Sequence, residues 1–364
     1  MSGTSLDGLD LAICDLNSQS PVLHTKLFEF PSLLKQSLFD LSHQTTITFN
    51  NLYQTEQNYS DFCAHSINSL LKELKLSPSE IKAIGMHGQT VRHHPELSPG
   101  YTVQLANLSH ISAHTGITTV GDFRRKDLAL GGQGAPLVPP FHNAYFGSKT
   151  ETRVIANIGG ISNISILKPK ASPVGYDTGP GNALLDYWFS KHNSGDYDLN
   201  GDWAKQGQVN TTLLNQLLSV EYFTLSAPKS TGRELFNPEW LHNELDEFHQ
   251  HNPIITSTAD IQATLTELTA KTLADEISTQ AKEAGSVYVC GGGWKNSHLI
   301  NRLSYHLGNK IKVASTTELG LESDWIEACA FAWFAKNTLE RKDCMQSSAT
   351  GATRDAILGG IYYP

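Results

Sequence analysis

Two glycine-bearing turns, one at the start of the chain and one near its middle, each stand beside apolar segments. The first is MSGTSLDGLD at residues 1–10, and the second is NIGGISNI at residues 157–164. Small residues and glycine let backbone N–H groups approach phosphate oxygens without a steric clash. Either turn alone also fits an ordinary hairpin. Together they predict two phosphate-binding turns, one in each half of the chain.

Two carboxylates are candidates for chemistry. Asp7 could hold Mg²⁺ through water, because this ion prefers one or two carboxylates combined with water and phosphate oxygens. Asp177 is the second residue of the segment YDTGPGN at residues 176–182, whose Gly-Pro-Gly run predicts a rigid loop. A carboxylate on a stiff loop is a candidate general base. The alternative is an Asx-turn, in which the Asp177 side chain merely caps Gly179.

A third glycine cluster follows a predicted buried strand in VYVCGGGWKNS, at residues 287–297. Backbone without Cβ atoms at Gly291, Gly292 and Gly293 suits a purine ring lying against it. The segment has neither the GxGxxG spacing of a dinucleotide site nor the GK[ST] of a P-loop. A plain strand-to-helix turn is therefore the alternative interpretation.

The segment GDFRRKDLALGGQGAPLVP, at residues 121–139, combines glycine, proline and charge, which favours a functional loop. Arg124 and Arg125 could bind a carboxylate or phosphate in bidentate fashion. Asp122 and Asp127 could orient these arginines or bind hydroxyl groups. The alternative is a surface loop whose local ion pairs contribute little.

Two further groups of residues are less informative. APKSTGRELF, at residues 227–236, is interpreted as a polar loop leading into a helix with Glu234 in its first turn. His87, His93 and His94 fit no common zinc spacing and have no nearby cysteine, so we expect them to make hydrogen bonds at the edge of a pocket.

Hydrophobic periodicity predicts the elements that position these residues. Predicted strands lie at residues 9–16, from about 22, and at 81–86, 101–105, 118–120, 154–166 (broken by the glycine turn) and 287–290. Helical spacing covers residues 31–75, 183–192, 207–219, 260–284 and 325–339. The strand, glycine turn and strand at 154–166 echo the opening of the chain, which suggests one such unit in each of two lobes.

Length and composition narrow the class of protein. A chain of 364 residues is long enough for two domains or two lobes around a cleft. The net charge of −9 argues against general nucleic-acid binding. No apolar stretch reaches the length of a membrane span. The five cysteines form no CxxC pair, so we expect reduced thiols and a cytoplasmic protein.

The ordered set of motifs resembles the anhydro-N-acetylmuramic acid kinase family of the hexokinase–actin–Hsp70 superfamily. The resemblance runs from residue 1 to the C-terminal TGATRDAILGGIY and includes MSGTSLDGLD, HGQTVRHHP, DFRRKDLALGGQGAPLVP, NIGGISNI, DTGPGN, PKSTGRELF, CGGGWKN and the EA-FAWFA helix. One motif alone is weak, but this set in this order is specific.

The resemblance implies an α/β fold of two RNase-H-like domains with a nucleotide cleft between them. We expect the N-terminal domain at residues 1–125 plus about 340–364 and the C-terminal domain at 126–339. The implied nucleotide-binding residues are Gly3, Thr4, Ser5, Leu6, Asp7, Gly8, Leu9, Asp10, Gly159, Gly160, Gly291, Gly292 and Gly293. Asp177 is the implied catalytic base, and Thr90, Arg124 and Glu327 are the implied sugar-binding residues.

The resemblance also implies a reaction that uses ATP and Mg²⁺. Water adds to C1 of 1,6-anhydro-N-acetylmuramic acid, the anhydro bridge opens, and O6 takes the γ-phosphoryl group to give N-acetylmuramic acid 6-phosphate. Asp177 would take the proton from that water, because the acetal oxygen O6 has no proton to lose. A homodimer is the implied assembly, with no nucleic acid or membrane partner.

Two departures from the family pattern stand out. Family members usually carry a short apolar strand before MSGTS, so we expect a shortened sheet edge in the first domain and weaker support for phosphate binding by Gly3 and Thr4. The segment at residues 107–109 is poorer in Gly and Asp than in the family. Other functions stay open: a kinase for an ordinary hexose or a carboxylate, a nucleotide-driven conformational module, or an inactive regulatory homologue.

Overall fold

The computed structural model describes residues 1–3, 6–18, 21–227, 229–232, 234–252, 256–308 and 310–364. These residues form two compact units, of which the first is Met1–Phe141 with Trp325–Pro364 and the second is His142–Asp324. The domain boundaries expected near residues 125 and 340 stay a prediction, as does the nucleotide cleft between domains. The helix at 326–339, which the predicted boundaries give to the second domain, belongs to the first unit.

Strands and helices are numbered in chain order. The strands are β1 (Gly8–Cys14), β2 (Val22–Glu29), β3 (Ile84–Met86), β4 (Gln89–His94), β5 (Tyr101–Leu105), β6 (Thr119–Gly121), β7 (Thr152–Ile158), β8 (Ile161–Leu167), β9 (Val174–Pro180), β10 (Ala284–Cys290), β11 (Lys312–Ser315) and β12 (Gly360–Tyr362). The α-helices are α1 (Ser32–His43), α2 (Phe49–Leu74), α3 (Leu108–Thr115), α4 (Arg125–Ala129), α5 (Pro139–Phe146), α6 (Asn182–His192), α7 (Thr211–Leu217), α8 (Pro238–His251), α9 (Thr258–Gln280), α10 (Ser297–Leu307), α11 (Ile326–Leu339) and α12 (Ser347–Thr350). Short 3₁₀ helices occupy Pro78–Glu80, Leu199–Gly201, Ala204–Gln206, Glu221–Thr224, Gly292–Lys295, Thr316–Leu319 and Ser323–Trp325.

The first unit contains small sheets packed on helices. β1 pairs antiparallel with β2, β4 pairs antiparallel with β5, and β6 lies between β12 and β3. The 26-residue helix α2 begins at an N-cap in which Thr48 accepts a hydrogen bond from the Asn51 N–H, and it ends at Lys75 in the left-handed conformation. Its apolar face buries Tyr59, Cys63 and Ile67 in the core of this unit.

A cavity of about 590 Å³ lies beside β1 and β3 in the first unit. Apolar side chains from α2 and α11 also line it, together with Ile117, which lies just after the end of α3. Within the described residues, β1 and β3 belong to separate sheets. The expected effect of a shortened sheet edge on phosphate binding stays a prediction.

The second unit contains a five-stranded mixed sheet in the order β11-β10-β7-β8-β9. β7, β10 and β11 are parallel, whereas β8 runs antiparallel to both β7 and β9. Numbered within the unit, this is the order 5-4-1-2-3 with an antiparallel second strand. The predicted α/β fold class is confirmed.

Helix α9 covers one face of that sheet. A capping box fixes its start, since Ser257 and Asp260 each accept a hydrogen bond from the other's backbone N–H. Leu265, Leu268 and Leu273 of α9 pack in one cluster with alternate residues of the central strand β7: Val154, Ala156 and Ile158. The alternation follows from the two-residue side-chain period of a strand. This packing fixes the carboxyl end of β7, where the candidate site lies.

Most predicted elements are present, with shifted ends. The predicted helix at 260–284 is α9 at 258–280, and the predicted strand at 154–166 is the β7–β8 hairpin. The prediction of a helix with Glu234 in its first turn was wrong, because α8 begins at Pro238 with Asn237 as its N-cap. Strands β4, β9, β11 and β12 were missed as elements. Among the described residues, the structure contains no helix long and apolar enough to cross a membrane.

Candidate active site

The opening turn of the first unit is tied to the start of β4. Gln89 is fully buried, and its Nε2 donates to the Gly3 carbonyl oxygen at 3.1 Å. Leu6 has a positive φ of 58°, and its N–H donates to the same carbonyl at 3.3 Å. Thr4 and Ser5, both predicted to bind phosphate, lie outside the described residues. The sequence did not indicate that Gln89 holds the opening turn, because this role is visible only in its hydrogen bond to Gly3.

The rest of the predicted opening loop divides between core and surface. Leu6 and Leu9 are buried in the hydrophobic core, so their side chains cannot contact a ligand. The Asp10 N–H donates to the Met1 carbonyl oxygen at 2.8 Å. Asp7 is exposed, and Gly8 begins β1 with its Cα close against β2. Phosphate binding by residues 3–10 stays a prediction, and the geometry limits it to backbone groups and the Asp7 carboxylate.

Arg124 is held at a fixed position beside His87. Its Nε donates to His87 Nε2 at 3.0 Å, and its Nη1 donates to the Gly134 carbonyl oxygen at 2.7 Å. Burial and the neighbouring Arg124 hold the pKa of His87 well below its usual range. His87 is therefore a neutral acceptor at pH 7, and it orients a guanidinium that keeps its charge.

Asp127 stabilises the loop that binds Arg124. Its side chain is fully buried, and its Oδ2 accepts from the Gly134 N–H at 2.6 Å. Its Oδ1 accepts from the Thr350 hydroxyl at 2.6 Å. Asp127 therefore fixes the loop whose Gly134 carbonyl binds Arg124. Asp122 instead pairs with the exposed Arg125 at 2.8 Å, a local ion pair that both interpretations of this loop allow.

Glu327 and Thr90, the other predicted sugar-binding residues, also lie in the first unit. Glu327 stands in the first turn of α11, and its side chain is exposed. Desolvation of its carboxyl group by the surrounding protein raises the pKa of Glu327, and the Arg124 charge opposes this rise. The Thr90 hydroxyl accepts from Gln104 Nε2 at 3.3 Å. The structure thus brings Arg124 and Glu327 within electrostatic reach of each other.

The histidines singled out in the sequence have separate partners. His93 Nδ1 lies 2.9 Å from the Thr102 hydroxyl, and His94 Nδ1 lies 3.0 Å from Glu96 Oε1. In the described ranges, no group of three or more His, Cys, Asp or Glu side chains could hold a metal ion. A site for Mg²⁺ needs less, because one carboxylate plus water and phosphate oxygens suffices. The exposed Asp7 fits that limited role.

In the second unit, the predicted glycine turns meet at the carboxyl end of β7. The Gly159–Gly160 turn joins β7 to β8, and both of its carbonyl oxygens accept from the first N–H groups of α6: Asn182 at 2.7 Å and Ala183 at 3.2 Å. Gly181 packs closely against this turn and has no room for a side chain, since a Cβ there would lie 2.3 Å from the Gly159 carbonyl oxygen.

The Gly291–Gly293 turn packs against the same point. Gly291 has a φ of 80°, and a Cβ on it would lie 2.4 Å from Asn157 Oδ1. A Cβ on Gly293 would lie 2.3 Å from Ile158 Cγ2. Gly292 is exposed and leaves open backbone for a ligand. Nucleotide binding by Gly159, Gly160 and these three glycines stays a prediction that this geometry supports.

Asp177 lies in line with two asparagines across the sheet. Asn157 of β7 pairs in register with Asn163 of β8, which in turn pairs with Asp177 of β9. All three are half-buried polar residues beside buried apolar neighbours. The expectation that Asp177 stands on a loop was wrong, because β9 continues through it to Pro180. Strand pairing with β8 accounts for the extended backbone there.

The Asp177 carboxylate is held by the segment 229–231. Its Oδ2 accepts from the Ser230 hydroxyl at 3.0 Å and from the Thr231 N–H at 3.1 Å. These bonds, and not a cap on Gly179, fix the side chain. The pKa of Asp177 is raised to about 6, chiefly by burial; the two hydrogen bonds oppose this rise and the Glu234 charge adds to it. A half-buried carboxylate with this pKa is suited to general base catalysis.

The polar loop at 227–236 was noticed in the sequence, but its role was not. Ser230 and Thr231 lie more than 50 residues after Asp177 in the chain. Burial along β9 does not alternate from one residue to the next, so no two-residue period marked this strand in the sequence. The segment 229–231 likewise carries no local signal of its contact with Asp177.

The second unit is therefore an α/β domain whose glycine turns follow the carboxyl ends of parallel strands, where nucleotide-binding α/β enzymes build their sites. The chain belongs to the anhydro-N-acetylmuramic acid kinase family, since the model of that family matches residues 1–364. The chain is 45% identical to the anhydro-N-acetylmuramic acid kinase of Pasteurella multocida, covering 100% of this chain and 95% of that protein. It is also 45% identical to the enzyme of the same name from Saccharophagus degradans, with 100% and 98% covered.

Solved structures resemble the chain more remotely. The Lmo2764 protein of Listeria monocytogenes is 14% identical with a TM-score of 0.38, covering 93% of this chain and 98% of that one. The activator of the 2-hydroxyisocaproyl-CoA dehydratase from Clostridium difficile, solved with bound ADPNP, is 16% identical with a TM-score of 0.35, covering 67% and 89%.

Proposed function

We propose that the chain is an ATP-dependent kinase that opens 1,6-anhydro-N-acetylmuramic acid with water and phosphorylates O6. The products are N-acetylmuramic acid 6-phosphate and ADP, as expected for a step in peptidoglycan recycling and amino sugar metabolism. The observation that supports this most strongly is the position of the half-buried Asp177. It pairs in register with Asn163, beside the glycine turns, in a chain that belongs to this kinase family.

In this mechanism Asp177 takes one proton from a water molecule as its oxygen bonds to C1 of the sugar. The C1–O6 bond breaks, and its electron pair goes to O6. O6 then bonds to the γ-phosphorus of ATP, and the bond from phosphorus to the ADP oxygen breaks. Because O6 carries no proton, no base is needed at O6. Asp177 must therefore face the water and not the accepting oxygen.

The remaining residues bind and orient. Gly159, Gly160 and the backbone at 291–293 would lie against the nucleotide, and Gly3 with Asp7 would approach its phosphates. Bound Mg²⁺ would offset phosphate charge, with Asp7 holding it through water. Arg124 is suited to a carboxylate, which the lactyl group of the sugar carries, because a guanidinium binds carboxylates in bidentate fashion. Thr90 and Glu327 complete the proposed sugar contacts.

A substrate panel tests this function. Purified protein with Mg-ATP is assayed for ADP in the presence of anhydro-N-acetylmuramic acid, N-acetylmuramic acid, N-acetylglucosamine, glucose or acetate. We expect ADP release to depend on the anhydro sugar, with a 6-phosphate product visible by ³¹P NMR. Preference for a free sugar hydroxyl would indicate an ordinary sugar kinase. ATP hydrolysis that no sugar changes would indicate a nucleotide-driven conformational module.

We also propose a cytoplasmic homodimer, on the strength of family membership. Light scattering coupled to gel filtration measures the assembly. The expected mass is twice the 39.9 kDa of the chain, and a mass equal to that of one chain would exclude the dimer under those conditions.

A further inference from the structure

A buried ion pair lies beneath Asp177, and the proposed reaction gives it no role. Lys229 Nζ lies 2.6 Å from Glu276 Oε1 of α9, and the lysine side chain is only 3% exposed. The same ammonium donates to the Tyr222 carbonyl oxygen at 3.3 Å and stands 4.9 Å from the Tyr222 ring centroid. A buried lysine needs such partners to remain charged, so these contacts fix its position.

The ion pair is connected to β9 on both sides of Asp177. The Tyr176 hydroxyl donates to Glu276 Oε2 at 3.1 Å. The Asp177 N–H donates to the Lys229 carbonyl oxygen at 3.1 Å, and the Tyr222 hydroxyl donates to the Asp177 carbonyl oxygen at 2.7 Å. The pair therefore joins α9, the segment 229–231 and the backbone of the candidate base.

The two residues that follow Lys229 are the donors to the Asp177 carboxylate. Ser230 donates through its hydroxyl and Thr231 through its backbone N–H, both to Oδ2. Ser230 is exposed, and no residue of the described segment 229–232 belongs to a helix or strand. The anchor next to Ser230 in the chain is the buried Lys229. Displacing Lys229 would move both donors.

We propose that the Lys229–Glu276 ion pair is the positioning device for Asp177, because it fixes the segment whose Ser230 hydroxyl and Thr231 N–H orient the carboxylate. The inference rests on the proposed function only in assigning Asp177 as the base. Lys229 and Glu276 are positioning residues, and neither is expected to touch the substrate.

The experiment compares Lys229→Met with Glu276→Met in the full chain. The pKa of Asp177 is measured by ¹³C NMR of carboxyl-labelled aspartate, with Asp177→Asn used for assignment, and kcat and KM are measured in parallel. The charged or titratable groups near Asp177 are Glu234, Tyr176, Tyr222, Lys229 and Glu276. Direct charge effects of the two substitutions on Asp177 have opposite signs, because one removes a cation and the other an anion.

The positioning account predicts shifts of the same sign. Either substitution displaces the segment and weakens both hydrogen bonds that favour the carboxylate, so the pKa of Asp177 rises in both variants. We expect kcat to fall at least tenfold in each, with the KM for ATP changed less than twofold. Lys271→Met is the matched control, since Lys271 forms an exposed pair with Asp275 at 2.9 Å on the same helix. It should behave like the wild-type protein.

Opposite pKa shifts in the two variants, or an unchanged pKa and kcat in folded protein, would overturn the inference. Tyr176→Phe covers the possibility that loss of a buried partner prevents folding, because it removes only the hydroxyl that donates to Glu276. It should raise the pKa of Asp177 less, in the same direction, and an unchanged pKa in this variant would count against the proposal.

The NMR titration needs no turnover, so it tests the positioning role of the Lys229–Glu276 pair separately from the role of Asp177 as the base. If Asp177→Asn keeps full activity, the proposed base is wrong. The titration of Asp177 in the Lys229 and Glu276 variants still shows whether the ion pair positions the carboxylate.

Discussion

At the scale of single residues, Asp177 is subject to opposing influences. Burial raises its pKa to about 6, and donation from Ser230 and Thr231 limits that rise. A carboxylate with this pKa is more basic than an ordinary aspartate and is still ionised at neutral pH, as a general base requires. The hydrogen bonds also fix the direction in which its remaining lone pairs point.

Asp177→Asn should abolish turnover while nucleotide binding persists. General base catalysis typically contributes about 10²–10⁴-fold to rate, so kcat should fall by at least that range. Thermal stability at pH 8 should not fall, because the substitution removes a charge that burial disfavours. Steady-state kinetics, calorimetric nucleotide binding and a melting curve measure these properties. Full activity in this variant would remove Asp177 as the base.

The pH dependence of activity follows from the same carboxylate. A base must be deprotonated, so kcat/KM should fall about tenfold per pH unit as pH drops below about 6, and it should be level from there to neutral pH. Ser230→Ala removes a bond that lowers the pKa of Asp177, so its midpoint should lie at higher pH. A midpoint near the ordinary aspartate value, or one at lower pH in Ser230→Ala, would contradict this account.

At the scale of elements, the Gly291–Gly293 turn packs closely against the carboxyl end of β7. Gly291→Ala adds a Cβ 2.4 Å from Asn157 Oδ1 at a φ of 80°. The turn must therefore shift, and we expect the KM for ATP to rise at least tenfold. Gly320→Ala is the matched control, because its φ is 87° and its Cβ would meet nothing within 4 Å. Equal effects of the two substitutions on KM would argue against the nucleotide role.

The loop that carries Gly134 depends on Asp127. Asp127→Ala leaves the Gly134 N–H and the Thr350 hydroxyl without their buried acceptor, which should cost roughly 2–4 kcal/mol of unfolding free energy. The KM for the sugar should also rise, because Gly134 binds Arg124. Urea denaturation and kinetics measure both effects. Asp122→Asn, at a partly exposed ion pair, should change stability by less than about 1 kcal/mol; an equal loss in both variants would contradict the assignment.

At the scale of the whole molecule, local patterns predicted most elements. The glycine turns at 159–160 and 291–293 were found because glycine between apolar runs is a local signal. Strand β9 was missed because its Gly-Pro-Gly run is typical of loops, whereas pairing with β8 decides its conformation. Tertiary context therefore overrode local propensity at the proposed base.

Long-range contacts were beyond prediction from one sequence. Asp127 and Thr350 are 223 positions apart, and Tyr176 and Glu276 are 100 apart. Nothing in the spacing of either pair signals contact. The family resemblance supplied the proposed reaction and the proposed role of Asp177, but the residues that hold Asp177 and Arg124 became visible only in the structure.

The central claim is that water adds to C1 while O6 is phosphorylated, and isotopic labelling tests it most directly. The reaction is run in ¹⁸O-water and quenched early, and the sugar phosphate is examined by mass spectrometry and ¹³C NMR. Unlabelled product kept in the same water controls for exchange at C1. The account predicts one ¹⁸O on C1 and none in the phosphoryl group for each ADP released. Product without ¹⁸O on C1, or label in the phosphoryl group, would contradict it.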